Sequence, residues 1–244
     1  MANFWRIVDT VIAKADIILM VVDARMIEQT RNLEIERKVG ASGKKLITVI
    51  NKADLVPKDV LEPYKQKLDP CVFVSAQKFY GMTRLRHKIL EISQGEAVTV
   101  GVVGYPNTGK SSIINSLKGK ASAGVSSVSG FTKGKQNIKI DSKIMVIDTP
   151  GVLSEQDNKH AEKFVITATM NVKDDPELVA YELIKIHKQE ILQHYDIQEF
   201  CHTEEEVLEA LAKRLNKVAK GGVPDTETAS RMLLQEWQKG KIQL

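Results

Sequence analysis

Cysteine, aromatic residues and long apolar runs are all scarce in this 244-residue chain. Its two cysteines, Cys71 and Cys201, are too few for a disulfide framework and suit a reducing compartment. The longest purely apolar run, residues 17–22, falls far below the roughly 20 residues that a membrane-spanning helix needs. The first residues carry charges and lack the continuous apolar segment of an export signal. We therefore expect a cytoplasmic protein without a membrane partner.

Charge is present in both signs, but it is distributed unevenly along the chain. The net charge is +4, with 43% hydrophobic and 27% charged residues, which is ordinary for a folded globular protein. Residues 1–154 hold 23 Lys and Arg against 14 Asp and Glu, whereas residues 155–244 hold 12 against 17. This asymmetry predicts two units with different surfaces, of which the first is the better suited to a polyanion.

Hydrophobic periodicity predicts an α/β domain followed by helices. Six short apolar or β-branched runs are predicted to be strands, at residues 17–22, 46–50, 72–74, 98–103, 138–140 and 144–147. Helical segments are predicted at residues 4–15, 33–39, 58–68, 83–92 and 110–117. Strands that alternate with helices indicate a mostly parallel six-stranded sheet, and the short spacer before the last run indicates one antiparallel strand.

After residue 154 the strand pattern stops, and three amphipathic helices are predicted. Gly221 and Gly222 are expected to end the second helix, while Pro224 and Asp225 suit the start of the third. We therefore expect a first domain at residues 1–154 and a small all-helical domain at residues 155–244.

A glycine-rich loop, GYPNTGKSS at residues 104–112, follows the run at 98–103 and precedes a predicted helix. This is the setting of a P-loop, whose glycines let successive backbone N–H groups face phosphate oxygens. In such a loop Lys110 reaches the β- and γ-phosphates, and the Ser111 hydroxyl binds Mg²⁺. Thr108, Gly109 and Ser112 are assigned to the same phosphate-binding loop. The alternative, an accidental glycine-containing turn, is rejected because motif, strand and helix agree.

The sequence NKAD at residues 51–54 narrows the choice of nucleotide. The Asp54 carboxylate offers two acceptors that match the adjacent N1–H and exocyclic amine of guanine, and adenine has no such donor pair. Asn51 is expected to brace neighbouring loops, and the Lys52 stem to cover one face of the base. A guanosine nucleotide is therefore favoured over ATP.

A further loop, DTPG at residues 148–151, follows the last predicted strand. Here Asp148 can hold a Mg²⁺-bound water, and the Gly151 N–H can contact the γ-phosphate. Alone, DTPG is also compatible with an ordinary turn after a buried strand.

The order of these loops is unusual. In a Ras-like GTPase the P-loop comes first, whereas here NKAD and the Val-Ser-Ala at residues 74–76 precede it. The domain is therefore circularly permuted, in the motif order G4-G5-G1-G2-G3. With this order, and with VVDAR at 21–25, SGFTKG at 129–134, DTPG and a tail containing WQKGKI, the chain resembles the YlqF/RbgA (YawG-like) circularly permuted GTPases.

The resemblance implies a GTPase that acts as a nucleotide-dependent switch in large ribosomal subunit assembly. Its implied partners are the large-subunit precursor and rRNA, with neither DNA nor a membrane, and we expect a monomer when free. The implied ligands are GTP or GDP, Mg²⁺ and K⁺. A GTP-binding RNA-associated scaffold, or a regulatory GTPase that does not act on ribosomes, is the alternative.

The resemblance also implies roles for individual residues. Ser75 and Ala76 would lie beside the guanine O6, and Asn107 would hold K⁺. Thr132 would bind Mg²⁺ together with Ser111 and Asp148. Catalysis would then involve Lys110, Thr132 and Gly151.

Two departures from the family pattern concern hydrolysis. Val152 stands directly after DTPG, where a Ras-like GTPase has a Gln that orients the attacking water. RbgA-type members carry a His near the amino terminus, but this chain has no His before His87. His160 is the nearest substitute, although a solvated loop histidine is the favoured interpretation. Slow intrinsic hydrolysis is expected.

Two weaker constellations remain. One is a group of possible zinc ligands, for which core-edge histidines are the favoured alternative: His187, His194, Cys201 and His202. The other is a set of lysines that contact rRNA phosphate or form a solvated face: Lys118, Lys120, Lys133, Lys135, Lys139 and Lys143.

Overall fold

The computed structural model describes residues 2–119, 136–148, 175–219 and 221–244. The chain divides into two compact units, Met1–Gln156 and Asp157–Leu244. The predicted boundary after residue 154 lies outside the described residues. Within the described ranges, no helix is both long and apolar enough to cross a membrane.

The first unit is built on a six-stranded sheet with the order β3-β2-β1-β4-β6-β5. The strands are β1 Ile17–Asp23, β2 Lys45–Asn51, β3 Cys71–Phe73, β4 Val98–Val103, β5 Gln136–Lys139 and β6 Ile144–Asp148. Every neighbouring pair is parallel except β5 and β6, which form an antiparallel hairpin at the edge. The predicted α/β class, with its mostly parallel sheet and one antiparallel strand, is confirmed.

Helices connect the strands and cover both faces of the sheet. They are α1 Ala2–Lys14, α2 Ile27–Thr30, α3 Leu33–Ala41, α4 Lys58–Leu61, α5 Tyr64–Lys67, α6 Met82–Ile92 and α7 Lys110–Lys118. Side chains of α6 and α7 join one face of the strands in a buried core, with Leu85, Ile89 and Ile113 all fully buried. Burial on both faces explains why the central strands are mostly apolar rather than alternating between apolar and polar residues.

One glycine in β4 fixes how closely α1 approaches the other face. A Cβ on Gly101 would lie 2.5 Å from Val11 Cγ1 and 3.0 Å from Ala15 Cβ, both on or beside α1. Since real Cβ atoms do not approach so closely, the absence of a side chain lets α1 pack directly onto the strand.

The predicted single helix at 58–68 is wrong. The segment forms two short helices, α4 and α5, that are separated at Pro63. Proline has no N–H to donate, and its ring clashes with the carbonyl four residues earlier, so it starts a new helix instead of continuing the old one.

The second unit contains three longer helices in its described part: α8 Pro176–His194, α9 Glu204–Arg214 and α10 Thr226–Gln238. A capping box of Thr203 and Glu206 starts α9, and the Asp225 carboxylate accepts the Thr228 N–H at 3.0 Å to start α10. α8 is kinked at His187, whose buried ring lies 4.8 Å from that of Trp237.

The predicted end of α9 at Gly221 and Gly222 is wrong. The helix stops at Arg214, and Asn216 then adopts a left-handed conformation with φ of 53°. Val218 pairs with Pro224 in a short antiparallel bridge, and the two glycines, with φ of 90° and 79°, lie in its turn. Val218, which the bridge keeps outside the helix, is 56% exposed.

Candidate nucleotide-binding site

The candidate site lies at the carboxyl ends of the parallel strands. β1 and β2 end side by side, with Asp23 paired to Asn51 in register, and Met20 is paired to Val103 at the end of β4. NKAD follows β2, the P-loop follows β4, and Ser75 follows β3 by two residues. Loops at this edge of a parallel sheet converge, and this is where α/β folds place their ligands.

Glycines in the P-loop are required by close backbone approach. Gly104 has φ of 142°, and a Cβ there would lie 2.4 Å from the Val21 carbonyl oxygen. Gly109 has φ of 97°, and a Cβ there would lie 2.1 Å from Asn51 Nδ2. Asn107 also adopts a left-handed conformation, with φ of 59°. The loop therefore presses its backbone against β1 and against the NKAD loop.

Asn51 connects three loops through one buried amide. Its Nδ2 donates to the Thr108 carbonyl at 2.8 Å, and its Oδ1 accepts the Ala76 N–H at 3.1 Å. Asn51 is only 3% exposed, so both bonds are shielded from water. The P-loop, the NKAD loop and the Ser75–Ala76 loop are thereby held in one arrangement.

Two further bonds reinforce the Ser75–Ala76 loop. Ser116 Oγ, on α7, donates to the Ala76 carbonyl at 2.8 Å, and the Ala53 N–H donates to the Val74 carbonyl at 3.0 Å. The helix that starts at the P-loop is thus tied to the loop that is predicted to read the guanine O6.

The start of α7 is suited to an anion. Gly109 is its N-cap and, as a glycine, has no side chain that could cap the first N–H groups of the helix. Such groups carry positive potential and bind phosphate oxygens. Lys110 is buried and its Nζ donates to the Tyr105 carbonyl at 2.5 Å, while Ser111 and Ser112 are exposed.

Asp54, which is predicted to recognise guanine, is partly shielded from solvent and has a cationic partner. Its side chain is 15% exposed, and its Oδ2 lies 3.2 Å from Lys78 Nζ. A carboxylate has lone pairs for several donors, so one cation contact leaves acceptor capacity for the two N–H groups of a guanine edge.

Lys52 is held by an ion cluster at the end of β1. Its Nζ lies 2.7 Å from Asp23 Oδ2, and Arg25 Nη2 lies 2.9 Å from the same oxygen. Burial by itself would raise the pKa of Asp23, but the charges of Arg25 and Lys52 outweigh it and hold that pKa well below its usual range. The cluster fixes the direction of the Lys52 stem.

Several predicted site residues cannot be placed. Thr132, Gly151 and His160 lie outside the described residues, as does the side chain of Asp148, whose backbone ends β6. The same is true of three of the six lysines, Lys120, Lys133 and Lys135. Lys118 and Lys139 are exposed, and Lys143 Nζ donates to the Gly95 carbonyl at 2.7 Å.

The zinc hypothesis finds no support in the geometry. Among the described residues, which include all four proposed ligands, no group of three or more His, Cys, Asp or Glu side chains is placed to hold a metal ion. His187 packs against Trp237, and His194 Nε2 lies 3.5 Å from Glu236 Oε2. Both histidines belong to the packing of the helical unit.

Two residues at the site were missed from the sequence, Asp23 and Lys78. Asp23 was detectable, because it ends a strand adjacent to the one that ends at NKAD, and carboxyl ends of parallel neighbours meet. Lys78 carried no usable signal, since its contact with Asp54 depends on the path of the loop after β3.

Comparisons with known proteins agree with the motif order. The family model described as RsgA GTPase matches residues 3–157, and the one described as 50S ribosome-binding GTPase matches residues 99–218. An uncharacterised GTP-binding protein of Methanocaldococcus jannaschii is 40% identical over 97% of this chain and 65% of its own length. The guanine nucleotide-binding protein-like 3 homolog of Drosophila melanogaster is 38% identical over 95% of this chain and 46% of its own.

A solved structure shares the fold. The crystal structure of GNP-bound YlqF from T. maritima matches with a TM-score of 0.66 at 23% identity, covering 99% of this chain and 95% of that one. The curated relatives are longer, and this chain spans between about half and two thirds of them. By the family model that matches residues 3–157, the chain belongs to the RsgA GTPases, and its motif order and the fold it shares with YlqF make its first unit a circularly permuted GTPase domain.

Proposed function

We propose that this chain binds and slowly hydrolyses GTP and acts as a nucleotide-dependent switch in large ribosomal subunit assembly. The observation that carries the nucleotide part is the Asn51 amide, which ties the P-loop to the NKAD and Ser75–Ala76 loops. Because one buried side chain joins the predicted phosphate-binding loop to the predicted base-reading loop, the arrangement favours a ligand that contacts both loops.

The residues that are described fit such a ligand. The β- and γ-phosphates would lie against the N-terminus of α7 and Lys110, and the guanine edge would meet Asp54. Ser111, Asp148 and Thr132 would hold Mg²⁺, which would supply positive charge to neutralise the charge that develops during phosphoryl transfer. Ser75 and Ala76 would face the guanine O6.

The proposed hydrolysis is slow because Val152 cannot hydrogen-bond to an attacking water. Lys110, Thr132 and Gly151 would stabilise the transferred phosphoryl group, and K⁺ held by Asn107 would add positive charge beside it. We propose a cytoplasmic location, in which Cys71 and Cys201, both free thiols, stay reduced.

The switch follows from the permuted order. DTPG is followed directly in the sequence by the segment that leads to the second unit, so a γ-phosphate that orders DTPG acts on the covalent link between the units. We propose that the GTP form, as a monomer, binds a large-subunit precursor through rRNA and that hydrolysis releases it. The description of the second matching family model, a 50S ribosome-binding GTPase, favours this partner.

Base recognition is tested by changing Asp54 to asparagine. The amide replaces one acceptor by a donor, which conflicts with the guanine amine but matches the carbonyl that xanthine carries at that position. We expect the Asp54→Asn variant to lose GTP affinity by 10-fold or more and to gain affinity for XTP, as measured by calorimetry. Asp59→Asn, the same change on the exposed side of α4, is the matched control. Equal GTP affinity in the variant and the control would refute the assignment.

The ribosomal part is tested separately by cosedimentation. The chain is loaded with a non-hydrolysable GTP analogue or with GDP and spun with large-subunit precursors. Binding that prefers the analogue is expected. Identical binding in both states would refute the switch, and absence of binding with intact GTP affinity would favour a regulatory GTPase that acts elsewhere.

A further inference from the structure

Two neighbouring aromatic side chains face solvent in the loop that follows Ser75. Phe79 and Tyr80 are each 59% exposed. Single exposed apolar residues are ordinary on a protein surface, but two adjacent aromatic rings form a patch that calls for a partner. We call residues 77–81 the aromatic loop.

The base of the aromatic loop is rigid. Ser75 and Tyr80 exchange both backbone N–H···O bonds at 3.0 Å, and Ser75 Oγ accepts the Lys78 N–H at 3.2 Å. Gly81 closes the loop with φ of 73°, where a Cβ would lie 2.3 Å from the Phe73 carbonyl oxygen. The rings are therefore presented from a fixed backbone, which lowers the entropy cost of binding through them.

Phe79 is also in an unfavourable conformation. Its φ is 56°, in the left-handed region that a bulky side chain rarely adopts. Contacts of the ring do not offset this conformational cost, because the ring is mostly exposed. Backbone strain that side-chain packing does not offset is typical of binding sites.

The sequence around the two rings is rich in cationic residues. From residue 77 to residue 90 the chain has no Asp or Glu, while it has four Lys and Arg and one His. Arg86 pairs with Asp141 and Lys88 with Glu91. Arg84 is exposed on the first turn of α6 and forms no ion pair with the residues that the structure describes. Lys78 is 61% exposed, although it contacts Asp54.

We propose that the aromatic loop binds unpaired bases of RNA, which stack on Phe79 and Tyr80 while Lys78 and Arg84 contact the phosphates. Aromatic rings beside cations are the recurrent means of binding single strands, because every base has a stacking face and every nucleotide a phosphate. A duplex cannot use the rings, since its bases are already stacked. This inference rests on the proposed function, from which it takes RNA as the partner, and adds where and in what form RNA is held.

The test measures the affinity of the full chain for a fluorescently labelled single-stranded RNA and for a duplex of the same sequence. A length of about 12 nucleotides falls within the usual site size of single-strand binding proteins. The test variant carries Phe79→Asn and Tyr80→Ser. Asparagine tolerates the left-handed conformation, so the variant keeps its fold, and its thermal midpoint should be no lower than that of the unaltered chain. The control is Val60→Ser, which removes a 53% exposed apolar side chain from α4.

Each lost stack should weaken single-strand binding by roughly 5-fold or more, from the usual worth of a base–aromatic contact. Duplex binding and GDP affinity should be unchanged in the variant, and the control should match the unaltered chain. Unchanged single-strand binding by the variant would overturn the inference. If the variant lost binding to the large-subunit precursor but kept binding to the single strand, the loop would be a protein contact, and the inference would also fail.

Failure of this inference can be distinguished from failure of the proposed function. An unaltered chain that binds no guanine nucleotide would refute the GTPase proposal, and the RNA comparison between variants would remain readable. A chain that binds GDP normally but whose RNA affinity does not depend on the rings would refute only the assignment of the aromatic loop.

Discussion

Replacing Asn51 by alanine removes the amide that joins three loops, and the consequence for ligand binding can be worked from its two bonds. Both are buried, so the Thr108 carbonyl and the Ala76 N–H would lose their partner. At about 1 kcal/mol for each net hydrogen bond, the bound arrangement is about 2 kcal/mol harder to reach, which is a factor of about 30 in nucleotide affinity.

A thermal or denaturant assay with and without GDP measures this loss directly. At a ligand concentration 100 times the Kd of the unaltered chain, binding stabilises it by about 2.7 kcal/mol, and a 30-fold weaker variant by only about 0.9 kcal/mol. Asn115→Ala, the same change on the exposed side of α7, should keep the full stabilisation. If the Asn51 variant also keeps it, the bridging role of the amide is refuted.

Three further predictions concern charge, packing and cation dependence. Asp23→Asn removes the carboxylate that the buried Arg25 and the partly buried Lys52 both contact and should cost about 3–5 kcal/mol in urea unfolding, whereas Asp9→Asn, at an exposed ion pair with Lys38, should cost at most about 1 kcal/mol. Because the pKa of Asp23 is lowered in the fold, its stabilisation is complete above the ordinary value of 3.8 and is lost as the pH falls below it; a stability that did not fall there would contradict the cluster. Gly101→Ala should destabilise by about 1–3 kcal/mol through contact with α1, while Gly40→Ala, in α3 with open space around it, should stabilise by about 0.5–1 kcal/mol, and equal effects would refute the packing argument. Hydrolysis should be faster in KCl than in NaCl and should lose that difference in Asn107→Ala; equal rates in both salts for the unaltered chain would exclude the K⁺ role.

The fold was predictable because its strands are buried on both faces. The runs at 17–22, 46–50 and 98–103 consist of apolar or β-branched residues apart from Gly101, a pattern typical of parallel sheets, and all three are strands in the structure. The break at Pro63 carried a signal that was overlooked. The end of α9 had a weaker signal, because the glycine pair at 221–222 predicts a helix end, whereas the chain already turns at Asn216.

The candidate site was predictable only where a motif names its members. Lys110 and Asp54 belong to short sequence patterns whose chemistry is tied to their spacing. Lys78 and the exposed rings of the aromatic loop belong to no pattern of this kind, and their placement depends on how the chain returns from β3 to α6. Contacts of loop residues are set by tertiary packing, which single-sequence periodicity does not encode.

Circular permutation leaves this site intact for a physical reason. The sheet order β3-β2-β1-β4-β6-β5 brings the loops after β2, β4 and β3 to one edge, and the Asn51 amide joins them regardless of which is synthesised first. A parallel sheet fixes the position of each loop by the neighbours of its strand, not by its place in the chain. Permutation therefore changes which loop continues into the second unit rather than what the pocket recognises, and here that loop is DTPG, the one that meets the γ-phosphate in the proposed mechanism.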